Sequence, residues 1–233
     1  MDRNKPTLSP GTRLKTGATI LAAMRVVNTK PVQKRLDAFA AAHRAYGDAQ
    51  AKVDTADAEL RAGQAQVVQL DAEQDAALEA LALCLANNGQ SREKPFAAFN
   101  ADSPARIKTM PFAEEAQAIH ALVASLRIDT SLSQATLDAA QRADQAAQKV
   151  EAALVPLDAL RNTLSAAREV RDNLASAWDT SLAVLRRGAL AEGDNGAPGL
   201  YTSLFGRRSR GKKAKPVPVQ AAPATTPPAP PAA

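Results

Sequence analysis

Large apolar residues recur at every seventh position through the first half of the chain, beginning at Val32. A second series, three residues further on, carries mostly small residues. A seven-residue repeat sustained this long indicates a coiled-coil helix whose seam faces a partner helix. We therefore predict one long helix over about residues 31–88. The large series is Val32, Phe39, Tyr46, Val53, Leu60, Val67, Gln74 and Leu81, and the small series is Arg35, Ala42, Ala49, Ala56, Gly63, Leu70, Ala77 and Cys84.

The same alternation of large and small residues returns between about residues 112 and 190. Small seam residues let two helix backbones approach closely, so we interpret the two halves as antiparallel arms of a hairpin. Two features interrupt the second arm. The segment from Asp129 to Gln134 resembles a new helix N-terminus, and Pro156 is expected to kink or split the helix. If the chain folds back near residue 100, Pro156 lies beside Gly47.

These patterns predict an all-α fold, an elongated antiparallel helical hairpin or coiled coil with a short N-terminal helix. The end of the chain is rich in proline and alanine, so we expect a disordered, Pro-rich C-terminal tail. The predicted divisions are a basic N-terminal segment with a short helix, 1–30; the hairpin, 31–190, with arms at about 31–88 and 112–190 and a structured tip at 89–111; and a flexible tail, 191–233, with an apolar and basic motif at 199–215 and a Pro/Ala-rich end at 216–233.

Three of the chain's five phenylalanines, Phe96, Phe99 and Phe112, lie in or directly beside the predicted tip. The segment has two proline-started helical turns, one of them capped by Ser103. One interpretation is that its apolar residues form a plug that closes the hairpin. The alternative is an apolar docking surface for another protein, because exposed apolar patches mark interaction sites. The residues concerned are Phe96, Phe99, Ile107, Met110 and Phe112.

The net charge of +5 hides a segregation of charge along the chain. Residues 1–36 carry eight basic residues and one acidic residue, a net charge of +7. Residues 37–206 carry fifteen basic and twenty-three acidic residues, a net charge of −8, and residues 207–215 add +6. An antiparallel hairpin brings both basic segments to the same end, where they form an electrostatic site for a polyanion.

The sequence GLYTSLFG, at residues 199–206, directly precedes the basic run. An apolar anchor beside clustered cations is typical of a peripheral membrane segment. The alternative is that this sequence packs on the end of the rod and that the basic run only keeps the tail soluble. The candidate contacts for a polyanion or membrane are Leu204, Phe205, Arg207, Arg208, Arg210, Lys212, Lys213 and Lys215.

The amino-acid composition restricts the cellular compartment that we expect and the roles available to the cysteine, histidine and acidic residues. The single cysteine, Cys84, excludes an internal disulfide and fits a reducing compartment. No apolar run reaches the roughly 20 residues that a membrane-spanning helix needs, so we expect a cytoplasmic protein that can associate peripherally with a membrane. His43 and His120 lie on different arms, and we interpret both as flanks of the seam. The acidic stripe of Asp71, Asp75 and Glu79 is interpreted as a solvated face or as a strip that meets arginines, such as Arg142, of a partner arm.

No phosphate-binding glycine loop, nucleophile motif or metal-ligand spacing occurs in the sequence. We therefore expect neither enzyme activity, nor a cofactor, nor a small-molecule substrate. The function hypothesis is a structural or scaffolding coiled coil that spaces partners between its aromatic tip and its basic end. The expected partners are another protein and a second copy of this chain. The alternatives are a sequence-independent nucleic-acid-binding module and a coat protein of a membrane or granule surface.

Overall fold

The computed structural model describes residues 8–206, and every regular element in that range is helical. Alanine-rich sequence favours helix because alanine loses no side-chain entropy. The helices are α1, Pro10–Ala23; α2, Gln33–Asn87; α3, Pro104–Ile107; α4, Phe112–Leu126; α5, Gln134–Asp194; and α6, Leu200–Phe205, with short 3-10 turns at Lys30–Val32 and Ala97–Phe99. Residues 1–7 and 207–233 lie outside the described part, and with them the basic run at 207–215 and the predicted disordered tail.

Helices α2 and α5 pack against each other along their length as a hairpin, which confirms the predicted fold class. Their direction is antiparallel, since Arg35 near the start of α2 lies against Gly188 near the end of α5. Towards the other end of the pair, Glu73 approaches Lys149 with an O–N distance of 4.0 Å. The 55 residues of α2, at about 1.5 Å each, give a rod roughly 82 Å long.

The second arm begins at Gln134, so the prediction that it starts at residue 112 is wrong. Ser133 caps α5, because its Oγ accepts a hydrogen bond from the Thr136 N–H at 3.3 Å. The preceding helix, α4, carries its own buried stripe and packs beside the arms as a third helix. The interruption seen in the sequence is therefore a boundary between two helices that turn back on each other.

Pro156 does not split α5, which is continuous through this position. The next residue, Leu157, lies against α2, and a Cβ atom on Gly63 would come within 3.0 Å of its Cδ2 atom. Pro156 is thus opposite the Gly63 region, and the predicted pairing with Gly47 is wrong. Gly47 faces Leu14 of α1 instead. The pairing error follows from placing the start of the second arm too early.

The apolar core is divided into three parts along the rod, which we name the tip, the middle and the base. At the tip, α3 and α4 join α2 and α5 around one apolar cluster. At the base, α1 and α6 join the same two helices around a second cluster. In the middle, α2 and α5 alone enclose a small cluster of Val53, Ala56 and Leu164. The tip comprises residues 70–151, the middle 50–69 and 152–175, and the base 8–49 and 176–206.

The prediction of a flexible tail beginning at residue 191 is wrong for residues 191–206. Helix α5 continues to Asp194, and the chain then turns so that the Ala197 N–H donates to the Glu192 carbonyl oxygen at 2.9 Å. Gly199 has a φ angle of +89°, a left-handed conformation that glycine adopts without strain. Helix α6 follows, and it packs on the base through two buried leucines, Leu200 and Leu204.

Candidate functional site at the base of the rod

An ion pair between a buried arginine and a half-exposed aspartate holds α1 on α5. Ser9 caps α1, and Pro10 occupies its first turn. Arg13 is only 5% exposed, and its Nη2 and Nε atoms donate to the two carboxylate oxygens of Asp179 at 2.7 and 3.2 Å. Its Nη1 atom donates to the Leu8 carbonyl oxygen at 2.6 Å. The hydrogen bond to Asp179 raises the pKa of Arg13 further, so the guanidinium group is a permanent cation with its charge compensated.

An aromatic group fills the base beneath α1. The Trp178 ring is fully buried, packs edge-on against Phe39 and donates its indole N–H to His43 Nδ1 at 3.2 Å. Burial lowers the pKa of His43, which favours the neutral ring that this acceptor role requires. Gly17 of α1 lies directly on that ring, since a Cβ atom there would be 2.2 Å from His43 Nδ1. His43 is therefore a half-buried residue at the edge of the base cluster, and it sets how closely α1 can approach.

Helix α6 covers the end of the rod, as one of the two interpretations of GLYTSLFG expected. Leu204 is 1% exposed, so it is not available to a membrane in this conformation, and its prediction as a membrane contact is wrong. Phe205 is partly buried and packs against Tyr201 with ring centroids 4.9 Å apart. The Arg186 guanidinium group lies over the Phe205 ring at 5.5 Å from its centroid. This contact ties α6 to α5.

A groove of about 480 Å³ opens between α1, the end of α5 and α6, and we call it the base groove. Two cationic residues, Lys15 and Arg186, line it together with the hydroxyl-bearing residues Thr16, Thr19 and Ser203. Among residues 8–206, neither cation lies within 4.0 Å of a carboxylate oxygen. The polar lining can therefore donate hydrogen bonds to a ligand and attract a negatively charged group.

The rest of the groove lining is apolar. Ile20 and Ala23 contribute from α1, while Leu204 and Phe205 contribute from α6. Gly206 is the last residue of the groove lining, and Arg207 follows it in the chain. The strongly basic sequence at 207–215 is therefore attached covalently at the mouth of the groove. The combination of apolar surface with unpaired cations is suited to an anion that also carries an apolar part.

Charge is distributed unequally between the two ends of the described rod. The base carries nine basic and five acidic residues, a net charge of +4. The tip carries seven basic and twelve acidic residues, a net charge of −5. The electrostatic potential is therefore positive around the base and negative around the tip, and this difference acts over tens of ångströms at low salt.

The predicted docking residues at the tip are largely part of its core. Phe96 and Ile107 are fully buried, so these two are not available as a docking surface in this conformation. Phe99 and Met110 are half-buried and pack against the same apolar cluster. Phe112, at the start of α4, is 37% exposed. Four of the five residues thus have the positions that the plug interpretation expected.

A group of carboxylates inside the tip was not found from the sequence. Glu115 of α4 is 1% exposed and faces Asp71 and Asp75 of α2, so interpreting those two residues as a solvated face is wrong. Among the described residues, Glu115 Oε1 and both polar atoms of the buried Gln74 have no hydrogen-bond partner. Burial raises the pKa of Glu115 to about 7, and the neighbouring Asp71 and Asp75 charges raise it in the same direction. Lys108 compensates part of this charge by pairing with Glu79 and by approaching Asp75 at 3.9 Å.

A second polar group joins α4 to α5 on the surface of the tip. His120 Nδ1 lies 2.6 Å from Asp144 Oδ1, and its Nε2 atom lies 3.4 Å from Glu151 Oε2. Arg127 donates to the other Asp144 oxygen at 3.0 Å. This arrangement fastens the α4–α5 turn. Within residues 8–206, no three His, Cys, Asp or Glu side chains converge as metal ligands, and no helix is long and apolar enough to cross a membrane.

Comparison with known proteins adds no functional information. No protein-family model matches the chain. No curated protein and no solved structure is significantly similar to it. The function must therefore be argued from the helices, the base groove and the distribution of charge.

Proposed function

We propose that this protein is a non-enzymatic structural rod that attaches to an anionic surface through its base. The observation that carries this proposal is the charge difference between the ends, +4 at the base against −5 at the tip. The basic sequence at 207–215 continues directly from the base and adds six positive charges. A rod with one cationic end projects its other end away from an anionic surface, by roughly 80 Å for a helix of this length. That geometry is suited to spacing or tethering.

Self-association is the second part of the proposal. The middle is a two-helix segment with a small core. It contains Val68, Val155 and Val170, which are 60%, 79% and 53% exposed to solvent. Pairing two rods along the middle covers these residues, and four-helix arrangements bury more apolar surface than isolated hairpins. We therefore propose a second copy of this chain as a partner. A protein partner at the tip is proposed as well, although its buried aromatic residues leave it a smaller surface than the sequence suggested.

The test compares two triple variants of the full chain that change the net charge equally. The base variant replaces Arg25, Lys30 and Lys34 by glutamine, and the tip variant replaces Arg92, Lys94 and Arg106 by glutamine. All six side chains are exposed, so the fold should be preserved. Binding to vesicles containing anionic lipid and to duplex DNA is measured by co-sedimentation and by fluorescence anisotropy across a salt series.

We expect binding that falls steeply with salt, that weakens strongly in the base variant and that stays near the unmodified level in the tip variant. A further variant with all six basic residues of 207–215 replaced by glutamine should bind still more weakly. Equal losses in the base and tip variants, or binding insensitive to salt, would contradict the proposal. Preference for DNA over vesicles would favour the nucleic-acid alternative.

A further inference from the structure

We propose that the base groove binds the phosphate headgroup of an anionic phospholipid together with the first part of its acyl chains. This inference rests on the proposed function, because it names the ligand that the base recognises. It differs from general electrostatic attraction, which needs only charge. A groove site requires particular cations, hydroxyl groups and apolar contacts in one place.

At the base, some cations are paired with a carboxylate and others are not. Arg13 is paired with Asp179 at 2.7 Å, and Arg35 approaches Glu192 at 3.9 Å. Lys15 and Arg186 have no such partner among the described residues, although both line the groove. Two cations that converge on one cavity without a carboxylate between them are able to bind a phosphate group.

The groove lining around these cations contains both hydroxyl groups and apolar side chains. Thr16 and Ser203 carry hydroxyl groups that can donate to phosphate oxygens. The Thr19 hydroxyl group instead donates to the Lys15 carbonyl oxygen at 2.9 Å. Ala23 and Phe205, which are only partly buried, provide an apolar surface beside these donors, on which acyl methylene groups can be buried. A ligand that is anionic at one end and apolar at the other uses both parts of the lining.

Nucleic acid fits the groove less well. Its phosphates are flanked on both sides by polar sugar groups, which would leave the apolar lining without a contact. Single strands bind by stacking bases on exposed aromatic rings. One face of the aromatic ring in the groove, Phe205, is already occupied by the Arg186 guanidinium group, 5.5 Å from the ring centroid. The groove volume, about 480 Å³, lies in the range of small-molecule sites, roughly 300–1,000 Å³.

The test uses the full chain and soluble probes, so that general attraction to a membrane surface does not dominate. The probes are dihexanoyl phosphatidic acid, dihexanoyl phosphatidylcholine and inorganic phosphate, each titrated below its micellar concentration by calorimetry. The variants are Lys15→Gln and Arg186→Gln. Arg187→Gln is the matched control, because Arg187 is the adjacent exposed residue of α5 and does not line the groove.

We expect phosphatidic acid to bind the unmodified chain, with affinity at least about tenfold weaker in either groove variant and within about twofold in Arg187→Gln, since a charge-assisted hydrogen bond accounts for about a tenfold change or more. Phosphatidylcholine and inorganic phosphate should each bind more weakly than phosphatidic acid. Arg186→Lys should recover part of the affinity. This variant separates loss of charge from loss of the contact with Phe205, and circular dichroism checks that each variant is folded.

Either of two outcomes in the titrations with phosphatidic acid and phosphate would overturn the inference. Equal weakening in Arg186→Gln and Arg187→Gln would show that only total charge matters, and phosphate alone binding as tightly as phosphatidic acid would remove the role of the apolar lining. In either case, salt-sensitive binding that distinguishes the base and tip triple variants would leave the proposed function intact. If that binding is also absent, the proposed function fails as well. Duplex DNA that competes with phosphatidic acid for the groove would likewise contradict the lipid assignment.

Discussion

The ends of the rod and its middle are built from the same two helices, but they differ in what surrounds them. At each end, two further helices lie on the α2–α5 pair and complete an apolar cluster of more than ten buried residues. In the middle, the corresponding cluster has three buried residues, Val53, Ala56 and Leu164. Alanine-rich seams explain this, because they permit close backbone approach but bury little area per residue. Stability is therefore concentrated at the ends.

Helix α1 at the base and helix α4 at the tip differ in how the charge of an ionisable residue on their buried face is compensated. On α1, Arg13 lies on the same face as Gly17 and Ile20, and its charge is compensated by Asp179. On α4, Glu115 lies on the same face as Ile119, but the residues that it faces on α2 are acidic. The base is therefore closed by an ion pair, whereas the tip is closed by a carboxyl group whose pKa burial raises to about 7, which favours its protonated form below neutral pH.

The largest expected effect comes from truncating a core side chain at an end rather than in the middle. Trp178→Ala should lower the free energy of unfolding by about 3–5 kcal/mol, because it removes a fully buried ring and leaves a cavity. Leu164→Ala should cost about 2 kcal/mol, the lower limit for a buried leucine, since the thin middle can close over the lost volume. Urea denaturation followed by circular dichroism measures both. A cost for Leu164→Ala as large as that for Trp178→Ala would contradict the division of the rod.

The long arms were predictable because their pattern is local and repeated. Seam residues such as Phe39 and Leu157 are marked by spacing alone, and spacing reports which face of a helix is buried. The pairing of the arms was not predictable to the same degree. It depends on where α5 begins, and the cap at Ser133 had to be recognised as a turn between separate helices. Because the start of the second arm was placed too early, the predicted partner of Pro156 became Gly47 instead of the Gly63 region.

The candidate site was only partly visible in the sequence. The net charge of the base follows from counting residues, and hairpin topology brings the termini together. The base groove requires α1 and α6 to meet on the end of α5, and residues as distant as Lys15 and Arg186 carry no local signal of that contact. Glu115 did have a signal. It precedes Ile119, Leu122 and Leu126 at helical spacing, which places a carboxyl group on the buried face of α4.

The second prediction concerns the pH dependence of the tip. The pKa of Glu115 is raised to about 7 in the folded protein from an ordinary value of 4.5. Between these values the unfolded chain binds fewer protons than the folded chain, so stability falls as pH rises and then levels off above about pH 7. The full difference corresponds to about 3 kcal/mol. Asp71, whose pKa is also raised by burial, acts in the same direction.

Glu115→Gln isolates this contribution, since other carboxylates also affect the pH profile. The difference in stability between the unmodified chain and this variant should change by up to about 3 kcal/mol from pH 4.5 to 7.5. Glu114→Gln is the matched control, because Glu114 is the preceding residue of α4 and is exposed. Its stability difference should remain constant over this range. Parallel pH profiles for all three proteins would show that the tip is not closed by a protonated carboxyl group.

The smallest effect on folding is expected in the middle, where the effect on assembly should be largest. On α5, uncharged and exposed residues recur at spacings of three and four, which places them on one face of the helix. They are Ala152, Pro156, Ala159, Thr163, Ala166 and Val170. Charged residues such as Arg161 and Arg168 project from the other side. A second rod lying along the uncharged face would avoid desolvating those charges.

Val170→Asp places a carboxylate on the uncharged face and should change the stability of the hairpin by less than about 0.5 kcal/mol, because the side chain is exposed. It should nevertheless shift the chain from dimer towards monomer in gel filtration with light scattering, since a buried unpaired charge strongly disfavours an interface. Ser165→Asp makes the same change of charge on the charged side of α5 and should leave the dimer unaffected. A strictly monomeric unmodified chain would contradict self-association itself. Dissociation by Ser165→Asp alone would instead place the contact on the charged side and reverse the assignment of faces.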